Sequence, residues 1–89
     1  MEQEFAYDYI GGLVKQGQPY IDKIANEWDL LTLEEVDTIC AKLRELTEDA
    51  QGIYASLEGD NFGIIDLVHQ LELAFQDAEE LYKEKESNQ

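Results

Sequence analysis

The chain has 89 residues, 44% of them hydrophobic, with 21 Asp and Glu against six Lys and Arg, for a net charge of −15. One domain with a modest core fits this length, and so negative a surface repels phosphate backbones and anionic lipid, which excludes direct binding to nucleic acid or membrane. The single cysteine, Cys40, excludes an intramolecular disulfide. No basic segment followed by an apolar stretch opens the sequence, so a cytoplasmic location is expected.

A chain this acidic is disordered unless apolar periodicity supplies a core. Phe5, Ala6, Tyr9, Ile10, Leu13 and Val14 form the first stripe at helical spacing, and it crosses Gly11-Gly12, where a bend or unwinding is expected. Gly17-Gln18-Pro19 is read as a break. Proline at a first helical position then opens a second short helix, turning Tyr20, Ile21, Ile24, Ala25 and Trp28 inward.

The strongest start signal is Thr32-Leu33-Glu34-Glu35, a hydroxyl three residues ahead of Glu35 in the pattern of a capping box. Behind it Val36, Ile39, Cys40, Leu43, Leu46, Ala50, Ile53, Tyr54 and Leu57 recur at threes and fours, predicting a long helix that ends at Gly59. Glu34, Asp37, Glu45, Glu48, Asp49 and Gln51 fall on its opposite face, and Arg44 stands four residues ahead of Glu48 as a candidate ion pair. After the turn residues Gly59-Asp60-Asn61, a last helix is expected from Phe62 toward Lys85, with Ile64, Leu67, Val68, Leu71, Ala74, Phe75, Ala78, Leu81 and Tyr82 inward.

Two matching stripes joined by a short turn make an antiparallel hairpin. The expected fold is therefore all-α, a small four-helix bundle of two short N-terminal helices and one long helical hairpin. Residues 1–86 form the domain, and 87–89 fray. Ile65 and Leu73 fall outside the last stripe and are expected either to pack on a third helix or to join a contact between subunits.

Chemistry-bearing patterns are sparse. Glu58 to Asp66 partly resembles a calcium loop, but Phe62 stands where an oxygen ligand is needed and His69 where a bidentate Glu is required. His69 has Asp66 and Glu72 beside it but no second His to complete a zinc site. Cys40 lies within an apolar stripe and has no partnered base. No phosphate-binding glycine loop, nucleophile elbow or metalloprotease signature occurs, so neither a catalytic residue, a metal nor a cofactor is expected, and the reading is a non-enzyme.

Function is then expected from the surface. Carboxylates four residues apart on a helix lie about 6 Å apart, near the spacing of phosphates along a strand. Glu45, Glu48, Asp49, Glu72, Asp77, Glu79 and Glu80 are the candidate partner-binding residues. They suit an inhibitor or decoy that occupies the basic surface of a nucleic-acid-binding protein, reached by fast, salt-sensitive association. In size and charge alone the chain resembles small acidic helical proteins with which bacteriophages and mobile elements block host defence. The competing reading is a structural or adaptor bundle whose charge only keeps it dispersed, acting through an apolar face or by homodimerisation.

Overall fold

A computed structural model describes residues 3–57 and 62–88, and these form three helices: α1 (Gln3–Glu27), α2 (Leu33–Ala55) and α3 (Phe62–Ser87). The expected all-α architecture is observed, in an elongated bundle of 47 × 18 × 17 Å. The expected four helices are three. No break occurs at Gly17-Gln18-Pro19, because α1 continues through Pro19 to Glu27.

Proline inside a helix removes one amide donor, opposes the carbonyl four residues earlier, and costs about 3 kcal/mol. Here that carbonyl belongs to Lys15, and both Lys15 and Pro19 are exposed, so water can serve the freed oxygen. The inward register also runs unbroken across the proline. Ile10, Leu13, Val14 and Gly17 are buried before it and Tyr20, Ile21 and Ile24 half-buried after it, so leaving the helix there would strip apolar surface on one side or the other. A fully buried aliphatic side chain contributes about 1.5–3 kcal/mol, enough for packing to override the local breakers.

Tertiary packing also revises which side chains of this region turn inward. Phe5 and Tyr9 are exposed and stack on each other with ring centroids 6.3 Å apart. Ala25 is exposed, and Trp28, which lies past the helix end in the turn closed by Leu30 N–H donating to the Glu27 carbonyl at 2.9 Å, is 53% exposed. Leu31, rather than Trp28, is the buried anchor of that connection.

The hairpin follows its sequence signals closely. Thr32 Oγ1 accepts from the Glu35 amide at 3.1 Å, and Glu35 Oε1 accepts from the Thr32 amide at 3.0 Å, completing the capping box. The Thr32 amide first, and then the Thr32 hydroxyl, hydrogen-bond to the Glu35 carboxylate, which favours its ionised form and holds it below the ordinary glutamate range. Every expected stripe residue of α2 and α3 is buried or half-buried. α2 ends at Ala55 instead of Gly59, because the Ser56 amide and hydroxyl both donate to the Ile53 carbonyl and the Leu57 amide to that of Tyr54. The turn residues Gly59-Asp60-Asn61 and the head of the calcium-like segment lie outside the described residues.

Two apolar clusters make up the core. One joins Ala6, Ile10, Leu13 and Val14 of α1 to Leu46, Ala50, Ile64, Val68 and Leu71. The other joins Val36, Ile39, Cys40 and Leu43 to Ala74, Ala78 and Leu81, with Tyr20, Ile21 and Ile24 against them. They meet at Gly17: a Cβ there would lie 3.3 Å from Leu46 Cδ1 and 3.4 Å from Leu43 Cδ2 and Leu71 Cδ2. Close approach of all three helices at this level leaves even a methyl group tightly packed and no space for a larger side chain.

Candidate functional site

The α2–α3 seam gathers charged side chains from two helices along one groove. Asp37, Arg44 and Gln51 recur at heptad spacing along α2, and Glu72, Glu79 and Glu86 do the same along α3. Each set sits beside the apolar stripe of its helix, and because the helices run antiparallel the two sets face each other across the groove. Gln51 Nε2 donates to Glu72 Oε2 at 3.1 Å. Asp37 and Glu86 share the other end of the groove with Lys83, while Arg44 and Glu79 stand midway.

Arg44 does not make the expected pair with Glu48. Its guanidinium lies over the Phe75 ring, 5.6 Å from the centroid, and no Arg44–Glu48 ion pair forms within 4 Å. Stacking on the ring spans the groove, which a pairing within α2 would not. Below the groove floor, Thr47 is 4% exposed and its hydroxyl donates to the Leu71 carbonyl at 3.2 Å, so this buried polar group is satisfied.

The candidate partner-binding carboxylates separate into distinct places. Glu48, Glu72 and Glu79 line the α2–α3 groove, with Gln51, Gln76, Arg44 and Phe75. Asp77 is on the other side of α3, in a groove with Ile21, Ile24 and Ala74. Asp49 turns toward α1 and accepts a hydrogen bond from the Tyr9 hydroxyl at 3.0 Å. Glu45 and Glu80 are exposed and line neither groove. Helical spacing distinguishes inward from outward positions, whereas the side of a neighbouring helix that an outward residue meets depends on how the helices assemble.

Asp37, Gln51, Phe75 and Glu86 belong to the seam but not to the sequence-based candidates. The signal of Asp37, Gln51 and Glu86 is positional: each stands immediately beside the apolar stripe, at the flanking places that face a partner helix in coiled-coil packing, whereas Phe75 is a stripe residue that also reaches the groove. Thr47 was detectable in the same way, since it falls between Leu43 and Ala50 at the stripe's own spacing.

Several titrating groups report this environment. Burial first, then Glu79 and Asp37, push the Cys40 thiol above its ordinary range, so it behaves as a small core hydrophobe. Hydrogen bonding to Glu86 raises the Tyr82 phenol, and hydrogen bonding to Asp49 raises that of Tyr9. His69 Nε2 lies 3.9 Å from Glu72 Oε1 at the rim of the seam. Among the described residues, no helix is long and apolar enough to cross a membrane.

Comparison with protein-family models, curated proteins and solved structures finds no match to this chain. The functional reading rests on the geometry and charge of the chain itself.

Proposed function

We propose that the protein is a non-enzymatic binding module that presents the α2–α3 seam to a basic surface of another protein, acting as an inhibitor or decoy at a site that otherwise engages nucleic acid. The observation that carries this reading is the convergence of Glu48, Glu72 and Glu79 from two helices on one groove, in a chain of net charge −15. Carboxylates on two packed helices lose less freedom on binding than carboxylates on a mobile chain, because the scaffold has already fixed their spacing. Phe75 supplies an apolar floor between them, with the Arg44 guanidinium over its ring. The surrounding negative field steers a positive partner and weakens as salt screens it. A cytoplasmic setting and a bacteriophage or mobile-element origin accord with this role.

The test is capture from a host lysate by immobilised protein, in low and in high salt, with duplex DNA as competitor. Basic nucleic-acid-binding proteins are expected to be retained at low salt and released by either salt or DNA. Reversing the charge of Glu48, Glu72 and Glu79 to Lys together is expected to abolish retention, while reversing Glu45 and Glu80 weakens it less. Retention of a neutral partner indifferent to salt and to the triple reversal overturns the reading.

A further inference from the structure

The outward face of α1 is unlike the rest of the surface. From Tyr9 to Ile21 the chain runs thirteen residues without Asp or Glu, and this stretch carries Lys15. By contrast, α2 holds six acids against two bases and α3 seven against two. At the middle of this face the helix is bare, since a Cβ at Gly11 or Gly12 would meet nothing within 4 Å. Beside the glycines a groove opens between α1 and α3, lined by Tyr7, Asp8, Lys15 and Leu67. Tyr7 is 51% exposed there, and Lys15 has no carboxylate within 4 Å among the described residues.

We propose that this groove is the contact between two copies of the chain, with their α1 helices crossing antiparallel at Gly11-Gly12. Asp8 lies three residues before the glycine pair and Lys15 three residues after it. A two-fold axis between the glycines therefore sets Asp8 of each copy opposite the partner's Lys15 and forms two equivalent ion pairs. This is the self-complementarity that an isologous interface requires. Bare glycines let the two backbones come closer than the usual 8–10 Å between helix axes, which brings Tyr7 and Leu67 of each copy toward the partner.

Charge selects the occupant. A basic protein is drawn to the acid-rich faces of α2 and α3, whereas a second copy of a chain at −15 meets least repulsion on this acid-poor face of α1, whose groove is lined by one carboxylate, Asp8, and one cation, Lys15. The pairing is independent of the basic-partner reading, and it leaves the α2–α3 seams of both copies uncovered.

Sedimentation equilibrium of the full chain over a concentration series in moderate salt is expected to show a mass of two chains at the upper end. Lys15→Glu, which sets Glu against the partner's Asp8, is expected to weaken association about tenfold or more, and Asp8→Lys to do the same by setting Lys against Lys. Combining them restores opposite charges across the axis and is expected to recover the dimer. Because all these positions are exposed, circular dichroism is expected to show unchanged helix content. As a second measurement, Gly12→Cys in a Cys40→Ser background is expected to cross-link two chains under mild oxidation. A mass of one chain at every concentration, a dimer unmoved by either charge reversal, a double variant that stays dissociated, or a Gly12→Cys chain that fails to cross-link overturns the proposal.

Discussion

α1 and the α2–α3 hairpin reach the same secondary structure by opposite routes. The hairpin is helical by its own signals, with a complete capping box at Thr32, two uninterrupted stripes and a buried hydroxyl at Thr47. α1 has three glycines and a proline within its helical span, and its N-terminal turns leave Phe5, Tyr7 and Tyr9 largely in water. The hairpin therefore serves as the template, and α1 is helical because docking against it returns more than the local breakers take away. Charge divides in the same way: α2 and α3 bear most of the acids, and the docked helix bears the acid-poor stretch from Tyr9 to Ile21.

The sharpest way to break this contrast is at Gly17, where α1 meets both halves of the hairpin. Gly17→Leu forces a side chain into space already limited by Leu43, Leu46 and Leu71 and is expected to destabilise the fold by about 3 kcal/mol. Urea denaturation followed by circular dichroism measures this, and an unchanged midpoint would show that α1 does not need close docking. Pro19→Ala works in the other direction. It restores an amide toward the Lys15 carbonyl, and the expected gain is about 1–2 kcal/mol once the greater freedom of the unfolded chain is subtracted. A loss on this substitution would mean that α1 depends on a bend at Pro19 to follow the hairpin.

Within the template, Thr32→Ala removes the side-chain half of the cap, with an expected cost of about 1 kcal/mol. Thr47→Val keeps the shape but removes the donor to the Leu71 carbonyl, and the expected loss is about 0.5–1.5 kcal/mol. Both are read as shifts of the urea midpoint.

The smallest effect is alkaline. Tyr9, Tyr82 and Cys40 all have folded-state values raised above their ordinary ones. Their contribution is fully present below the unfolded values near 9 to 10 and is lost as pH rises through the folded values. The melting temperature is therefore expected to fall modestly between about pH 9 and 11. Replacing Tyr9 and Tyr82 with Phe is expected to flatten that slope, and an unaltered slope would remove these phenols from the account.

The same contrast explains what could be read without the structure. The elements of the hairpin, its cap and its inward residues were legible because periodicity and capping are local properties. Gly17 and Pro19 read locally as punctuation, but Gly17 is held among Leu43, Leu46 and Leu71, which are distant in sequence, and Pro19 is tolerated because it faces solvent while the residues around it pack inward. Of the candidate acids, all lie outside the core, yet only Glu48, Glu72 and Glu79 share a groove, and Asp49 is engaged by a tyrosine forty residues away. Which carboxylates converge depends on the rotation of each helix about its own axis, and Phe75 and Gln51 become seam residues only through that rotation.

The gap left by the missing side chain of Gly17 also governs translation along the bundle. A slide of α1 by about one turn would bring Leu13 or Ile21 to that level, where three leucine methyls leave no room for a branched side chain. Of the offsets that a repetitive aliphatic seam would otherwise tolerate, the bundle is left with one longitudinal position.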